Sequence, residues 1–259
     1  MRREPFELSI LGGATERAWR RERPDIAPLP WELLDEEPPA GALLETARRF
    51  WTRMAFQEHK TATATAATVQ ALCAARAPVD LIAHAARFVA DELAHVELCA
   101  RVAAGLGGAA PLSHDPDELV PAPSPRLSPL GRAAELVLRV YCIGEAFSLP
   151  LQQATARAQR HPLLSAILRR IARDESAHGA FGWLFFDWAG ELVSDGERAH
   201  LRAIARDSVA TVADSIEQPG EDAELTFGWL PRPKWQAVAR RSLDEDVKEP
   251  LMARGLLMG

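Results

Sequence analysis

Two short segments carry side chains that could hold a metal ion: Asp91-Glu92-Leu93-Ala94-His95 and Asp174-Glu175-Ser176-Ala177-His178. In each, a glutamate and a histidine stand three apart. A helix sets both on one face, one turn from each other, so a carboxylate oxygen and an imidazole nitrogen converge on a point beside the axis. A single such pair arises often by chance. Two copies lie 83 residues apart, with Arg87-Phe88-Val89-Ala90 before the first and Arg170-Ile171-Ala172-Arg173 before the second, and read as an internal repeat of a helical hairpin.

The elements that must position these pairs are helical. The 259 residues are rich in Ala, Leu, Arg and Glu, with a single Tyr and few β-branched runs, which favours helix. A helical pattern runs from Gly41 to about Arg76, and Pro78 suits the first turn of a second helix that stops at Gly105, Gly107 and Gly108. Five prolines between 109 and 128 exclude a helix there. That stretch is long enough to run the length of a four-helix bundle and join one hairpin to the next. A third helix is expected from about Pro129 to Arg160, bent at Pro150, and a fourth from Pro162 to about Gly190. Ser194 and Glu197 form a capping-box pattern for a fifth helix ending before Pro219, and a last helix covers about 233–248.

The expected organisation is an irregular Pro- and Arg-rich arm over 1–40, a four-helix bundle over 41–190, and C-terminal helices over 191–259. The last group packs on the bundle, with a homodimer contact as its second role. The three cysteines, Cys73, Cys99 and Cys142, include no CxxC pair and read as buried small hydrophobes in a reducing cytoplasm. A net charge of −6 gives no reason to expect nucleic acid or an anionic membrane as partner. There is no signal-peptide pattern and no apolar run of spanning length.

A dinuclear site in such a bundle needs one carboxylate from each remaining helix. Facing residues of an antiparallel hairpin lie equally far from its turn. With a turn near His161, Glu175 is 14 residues after it and Glu145 is 16 before. With a turn near Ala77, Glu92 is 15 after and Glu58 is 19 before. Glu135 and Glu45 would miss by roughly 18 and 25 Å along the axis. The site is therefore expected from Glu58, Glu92, His95, Glu145, Glu175 and His178. Two divalent cations would cancel the four carboxylates, and oxygen with imidazole and no thiolate suits iron or manganese.

Asp91 and Asp174, each rotated about 100° from the neighbouring glutamate, are expected to accept hydrogen bonds from His178 and His95 respectively, or else to pair with arginines. Thr61, Ala62 and Thr65 follow Glu58 along nearly the same face, where small side chains leave a substrate cavity or permit a close helix contact. Tyr141 is either redox-active beside that cavity or a core residue with one hydrogen bond. His59, His84, His114, His161 and His200 point elsewhere or lie too far along their helices to join the site.

With these residues in place, the stretch 42–190 resembles the ferritin-like di-iron carboxylate superfamily. The resemblance implies an all-α, ferritin-like bundle with its long crossover between the second and third helices. It also implies that Glu92 and Glu175 bridge two irons, that Glu58 and His95 complete one site, and that Glu145 and His178 complete the other. An Mn/Fe pair shares these ligands. Arg173-Asp174-Glu175-x-x-His178 is similar to the segment of ribonucleotide reductase small subunits, but their radical-tyrosine position holds Cys99 here. The implied activity is a di-iron oxidoreductase that uses O2 or peroxide, with an external electron donor, to oxidise or oxygenate a small organic substrate. The alternative is iron handling or peroxide detoxification without an organic substrate.

Overall fold

Long amphipathic runs of Ala and Leu, broken only where Pro or Gly interrupts them, fold into long helices in a computed structural model of the chain. It describes residues 3–36, 39–119, 122–218, 227–228 and 230–258. The structure is almost wholly helical: α1 Gly13–Glu22, α2 Leu33–Glu36, α3 Gly41–Ala74, α4 Val79–Gly105, α5 Pro129–Val137, α6 Ala146–Ala158, α7 Pro162–Ala189, α8 Asp195–Glu217, α9 Arg232–Ser242 and α10 Glu249–Ala253. Among the described residues no helix is long and apolar enough to cross a membrane.

The 34 residues of α3 span about 51 Å. The helix ends in paired bonds, Ala77 N to Leu72 O (3.0 Å) and Arg76 N to Cys73 O (3.1 Å), with Arg76 at φ 55°. This is a Schellman closure with arginine in the place usually given to glycine. Pro78 then starts α4, which returns along α3. Pro162 at the first turn and the His161 ring, accepting from Leu164 N, cap α7. The Ser194–Glu197 capping box is present at the start of α8.

The stretch from α4 to α5 climbs along α3. Arg48 Nε donates to Gly108 O (2.8 Å), Ala110 N to Thr52 Oγ1 (2.9 Å), and Thr63 Oγ1 to Leu119 O (2.6 Å). Among its described residues it holds no α-helix, only a 3-10 turn at Pro116–Glu118 and a two-residue strand, Ser113–His114. That strand pairs antiparallel with Glu4–Pro5. The first forty residues are therefore less irregular than expected. They contain α1, α2 and one strand of this ribbon, because Trp19, Trp31 and Phe6 have apolar surface to pack against.

The expected third helix is continuous but not uniform. Between α5 and α6 it widens into a π-helical stretch, Leu138–Glu145, where Ala146 N reaches back five residues to Tyr141 O. Sequence reading placed the irregularity at Pro150, which lies inside α6. Pro150 deprives the Ala146 carbonyl of its i+4 donor, and the buried Ser242 hydroxyl of α9 approaches that oxygen (3.4 Å) and Phe147 O (3.0 Å) instead. The C-terminal helix is also interrupted by a π stretch, Leu243–Lys248, and continues through α10, beyond the expected end at 248. Cys99 and Cys142 are buried as expected. Cys73 is exposed, because it lies in the last turn of α3.

Close packing of the π stretch against α7 depends on Gly182. A Cβ there would stand 2.6 Å from Cys142 Sγ and 3.0 Å from both Cys142 N and Tyr141 Cβ. Gly182→Ala is therefore expected to destabilise the protein by about 1–3 kcal/mol. Gly196→Ala, whose Cβ would meet nothing within 4 Å, should be neutral or stabilising by up to about 1 kcal/mol. Urea midpoints of the two variants test this opposition in sign.

Candidate metal centre

Each of α3, α4, the π stretch and α7 sends acidic or imidazole side chains to one buried point. Glu58 comes from α3, Glu92 and His95 from α4, Glu145 from the last residue of the π stretch, and Glu175 and His178 from α7. All six are at most 6% exposed. They form two overlapping groups, Glu58-Glu92-His95-Glu175 and Glu92-Glu145-Glu175-His178, and within each group the candidate ligand atoms lie within 4.8 Å of one another. Glu92 and Glu175 belong to both groups. All six candidates from sequence are thus brought together, and His59, His84, His114, His161 and His200 are in neither group.

Apolar layers close this cluster at both ends. Toward one end lie Phe88, Tyr141 and Phe181, and toward the other Trp51, Leu98 and Ile167. Phe88 packs its ring 4.1 Å from that of His178. Inside this apolar cage several polar atoms make no hydrogen bond of normal geometry: both oxygens of Glu92, Oε2 of Glu175, Nδ1 of His95 and both ring nitrogens of His178. Unpaired buried acceptors of this kind are costly. Oxygen and imidazole donors turned inward without hydrogen bonds are the arrangement a hard or borderline cation would satisfy. The residues present therefore fit a metal group.

Without cations, protons must balance the charge. Burial, reinforced by Glu92 and Glu175 and partly offset by His95, pushes Glu58 up to about 8. Burial and the charges of Glu175 and Glu92 raise Glu145 well above the usual carboxylate range. For the histidines, burial disfavours the charged form, but contacts with carboxylates outweigh it. Asp91, Glu175 and Glu92 push His178 up to about 12. Glu175, Glu58 and Glu92 raise His95 well above its ordinary value. Glu175, penalised by burial but facing both imidazoles, is held low. His178 Nδ1 lies 2.8 Å from Glu175 Oε2 and 2.9 Å from Glu92 Oε1, and His95 Nδ1 lies 3.2 Å from Glu175 Oε1.

The Nε2 atoms face outward to the two aspartates. His95 Nε2 is 3.2 Å from Asp174 Oδ2, within hydrogen-bond reach. His178 Nε2 is 3.7 Å from Asp91 Oδ2, beyond a normal hydrogen bond. Both aspartates also pair with arginine, so the two readings from sequence hold together at Asp174. At Asp91 the arginine holds the closer contact. Asp174 pairs with Arg170, and Asp91 with Arg23 at 2.8 Å. Arg170 in turn binds Asp25. The loop after α1 thereby reaches both aspartates, through Arg23 to one and through Asp25 and Arg170 to the other. Sequence reading missed Arg23 and Asp25, since nothing local marks contacts across 68 and 145 residues. Arg170 was visible as an i,i+4 partner of Asp174. Its counterpart in the repeat, Arg87, is exposed and only 3.8 Å from Asp91, so Arg23 takes that place.

A cleft of about 600 Å³ reaches the cluster from outside and is lined at its base by Glu58, Glu145 and Glu175. Of the expected pocket residues only Thr61 lines it. Ala62, Thr65 and Tyr141 are buried. The Tyr141 hydroxyl faces that of Thr65, and burial, partly offset by Thr65 and reinforced by the charges of Glu145, Glu92 and Glu175, raises its pKa.

Comparison with known proteins identifies no match: no family model, curated protein or solved structure is similar to this chain.

Between about pH 6.5 and 8 the folded, metal-free chain keeps protons on Glu58 and His178 that the unfolded chain releases near the ordinary carboxylate and imidazole values. The folded state then binds more protons, so its stability must fall as pH rises through this window. Chelator-treated protein is expected to lose several degrees of Tm from about pH 6.5 to about pH 8. Glu58→Gln should flatten this fall. A Tm that rises over this range would contradict the protonation pattern.

Proposed function

We propose that the chain is a ferritin-like di-iron protein that activates O2 or peroxide to oxidise or oxygenate a small organic substrate. The observation that carries this reading is the overlap of two four-residue groups at Glu92 and Glu175. Shared carboxylates with one private carboxylate and one private imidazole on each side are what a pair of adjacent cations requires. In this reading α3, α4, the α5–α6 helix with its π stretch, and α7 are the four helices of the bundle, spanning about 41–190. The segment 106–128 is the long crossover.

Glu58 and His95 would hold one metal, Glu145 and His178 the other, and Glu92 and Glu175 would bridge them. Two divalent cations offset four carboxylates, and the donor set suits Fe/Fe or Mn/Fe better than a structural zinc site. A reduced pair there would supply electrons to O2 or peroxide, with an external donor restoring them. The chain contributes the rest. Asp174 holds the His95 ring by its outer nitrogen and keeps Nδ1 turned inward. Asp91, anchored by Arg23, faces the outer nitrogen of His178. The aromatic layer of Phe88 and Phe181 excludes water on one side, and the cleft admits a ligand on another. That cleft favours turnover of an organic substrate over iron handling or peroxide removal alone, neither of which needs a partly apolar recess of this size.

Purified protein loaded with ferrous iron is expected to hold about two metals per chain. Glu145→Ala should reduce this to about one, and Glu92→Ala or Glu175→Ala to nearly none, by metal analysis. Because Glu58 and His178 hold protons in the metal-free state near neutral pH, loading should release protons. Calorimetry in buffers of different ionisation enthalpy reads that release. Mixing the ferrous protein with O2 in a stopped-flow spectrometer should produce a transient absorbance change, and a flat trace with two irons bound would refute the oxidoreductase reading.

A further inference from the structure

The cleft beside the cluster has a chemical bias of its own. Met54, Leu119, Val140 and Leu151 make much of its wall apolar, and its polar groups include two cations, Lys60 and Arg139. Among the described residues Lys60 makes no hydrogen bond or ion pair, and its ammonium lies 6.0 Å from the Phe56 ring centroid. Arg139 uses only Nε, which donates to Glu135 Oε1 at 3.0 Å. Glu135 is already served by His200 Nε2 (2.9 Å) and Ser124 N (3.3 Å), so it makes little further demand on the guanidinium. Arg139 lines the cleft, and among the described residues its two terminal nitrogens make no hydrogen bond.

Against these cations stands one exposed carboxylate, Glu118. With the buried lining carboxylates neutralised by metal or by protons, the groups that line the cleft carry one surplus positive charge, and Glu135 behind the wall offsets part of that of Arg139. A planar carboxylate matches a guanidinium with two free N–H groups, and an ammonium nearby adds a point charge. A phosphate monoester, nearly doubly charged, would exceed that surplus and face Glu118. The apolar side chains that line the same cleft as Glu58, Glu145 and Glu175 suit a hydrocarbon body.

We infer that the substrate is a singly charged organic acid, held by its carboxylate at Lys60 and Arg139 with its apolar body directed at the buried carboxylate–histidine cluster. The inference rests on the di-metal reading for the fate of that body. The acid-binding site itself depends only on the cleft. Lys60 and Arg139 act here as specificity residues, since they touch the end of the ligand remote from the reacting centre.

The test uses octanoate, octanamide and octyl phosphate as probes of the full-length protein, by calorimetric titration with metal content measured in parallel. Octanoate should bind at least about tenfold more tightly than octanamide and should weaken with added salt. Lys60→Met combined with Arg139→Met should abolish that preference while leaving octanamide binding unchanged, and Arg139→Lys should restore part of it. If the double variant fails to fold, Lys60→Met alone serves, because it removes no ion pair with a described residue. Equal binding of acid and amide, or octanoate binding untouched by the variants, would overturn the inference. So would octanoate binding that vanishes on metal removal yet ignores Lys60 and Arg139, because the carboxylate would then sit on the metals. Tighter binding of octyl phosphate would overturn the singly charged assignment. Octanoate binding that depends on Lys60 and Arg139 in a protein shown to hold no metal would sustain the inference and refute the function proposed above.

Discussion

Four carboxylates and two imidazoles share a space that is buried except where Glu58, Glu145 and Glu175 meet the base of the cleft. No arrangement of apolar side chains makes that favourable, because each ionised group taken from water into such a space costs several kcal/mol and like charges add to it. The structure meets the cost by pairing. Both imidazoles turn Nδ1 inward toward Glu92 and Glu175 and Nε2 outward toward an aspartate. The two remaining glutamates, Glu58 and Glu145, are the ones pushed toward the neutral form. Protons and cations thus compete for the same atoms, and occupancy of the cluster is tied to acidity and to folding.

Around that core each element has a definable task. The apolar layers at either end keep the interior dry. The loop after α1 fixes the outer aspartates through Arg23 and Asp25, and Trp19 and Arg20 tie α1 to Glu97 of α4. The ribbon of Glu4–Pro5 with Ser113–His114 joins the start of the chain to the segment that climbs along α3. Segments far apart in sequence therefore depend on one another through the polar cluster and its outer pairs, not through one apolar core alone.

Much of this was legible in the residues. The repeated Glu-x-x-His spacing located two of the helices that build the cluster. Counting outward from the turns near Ala77 and His161 chose Glu58 and Glu145 over Glu45 and Glu135, and the structure places Glu135 against Arg139 and His200 instead. Prolines located the long connection. Arg23 and Asp25 were hidden, because a contact across the fold leaves no local periodicity. The choice at Ala62 and Thr65 between a cavity and a close helix contact stayed open for a related reason: small residues at helical spacing look the same whether a neighbouring helix or a void lies opposite. The cleft opens instead at Thr61 and Ala64, one step round α3. The widened stretch before Glu145, which packs closely on Gly182, was invisible, since no residue type marks i→i+5 bonding in a sequence.

That widened stretch has a consequence for how the chain could diverge. A π turn holds one residue more than the α turn it replaces, so it behaves as an insertion absorbed without breaking the helix. Deleting one residue between Leu138 and Gly144 could therefore restore regular α geometry there while the flanking turns keep their orientation, so that only the side chains of the stretch itself are re-aimed. A single residue could thus be lost or regained within these seven positions without unseating α6, a tolerance that a regular helix, turning about 100° per residue, does not have.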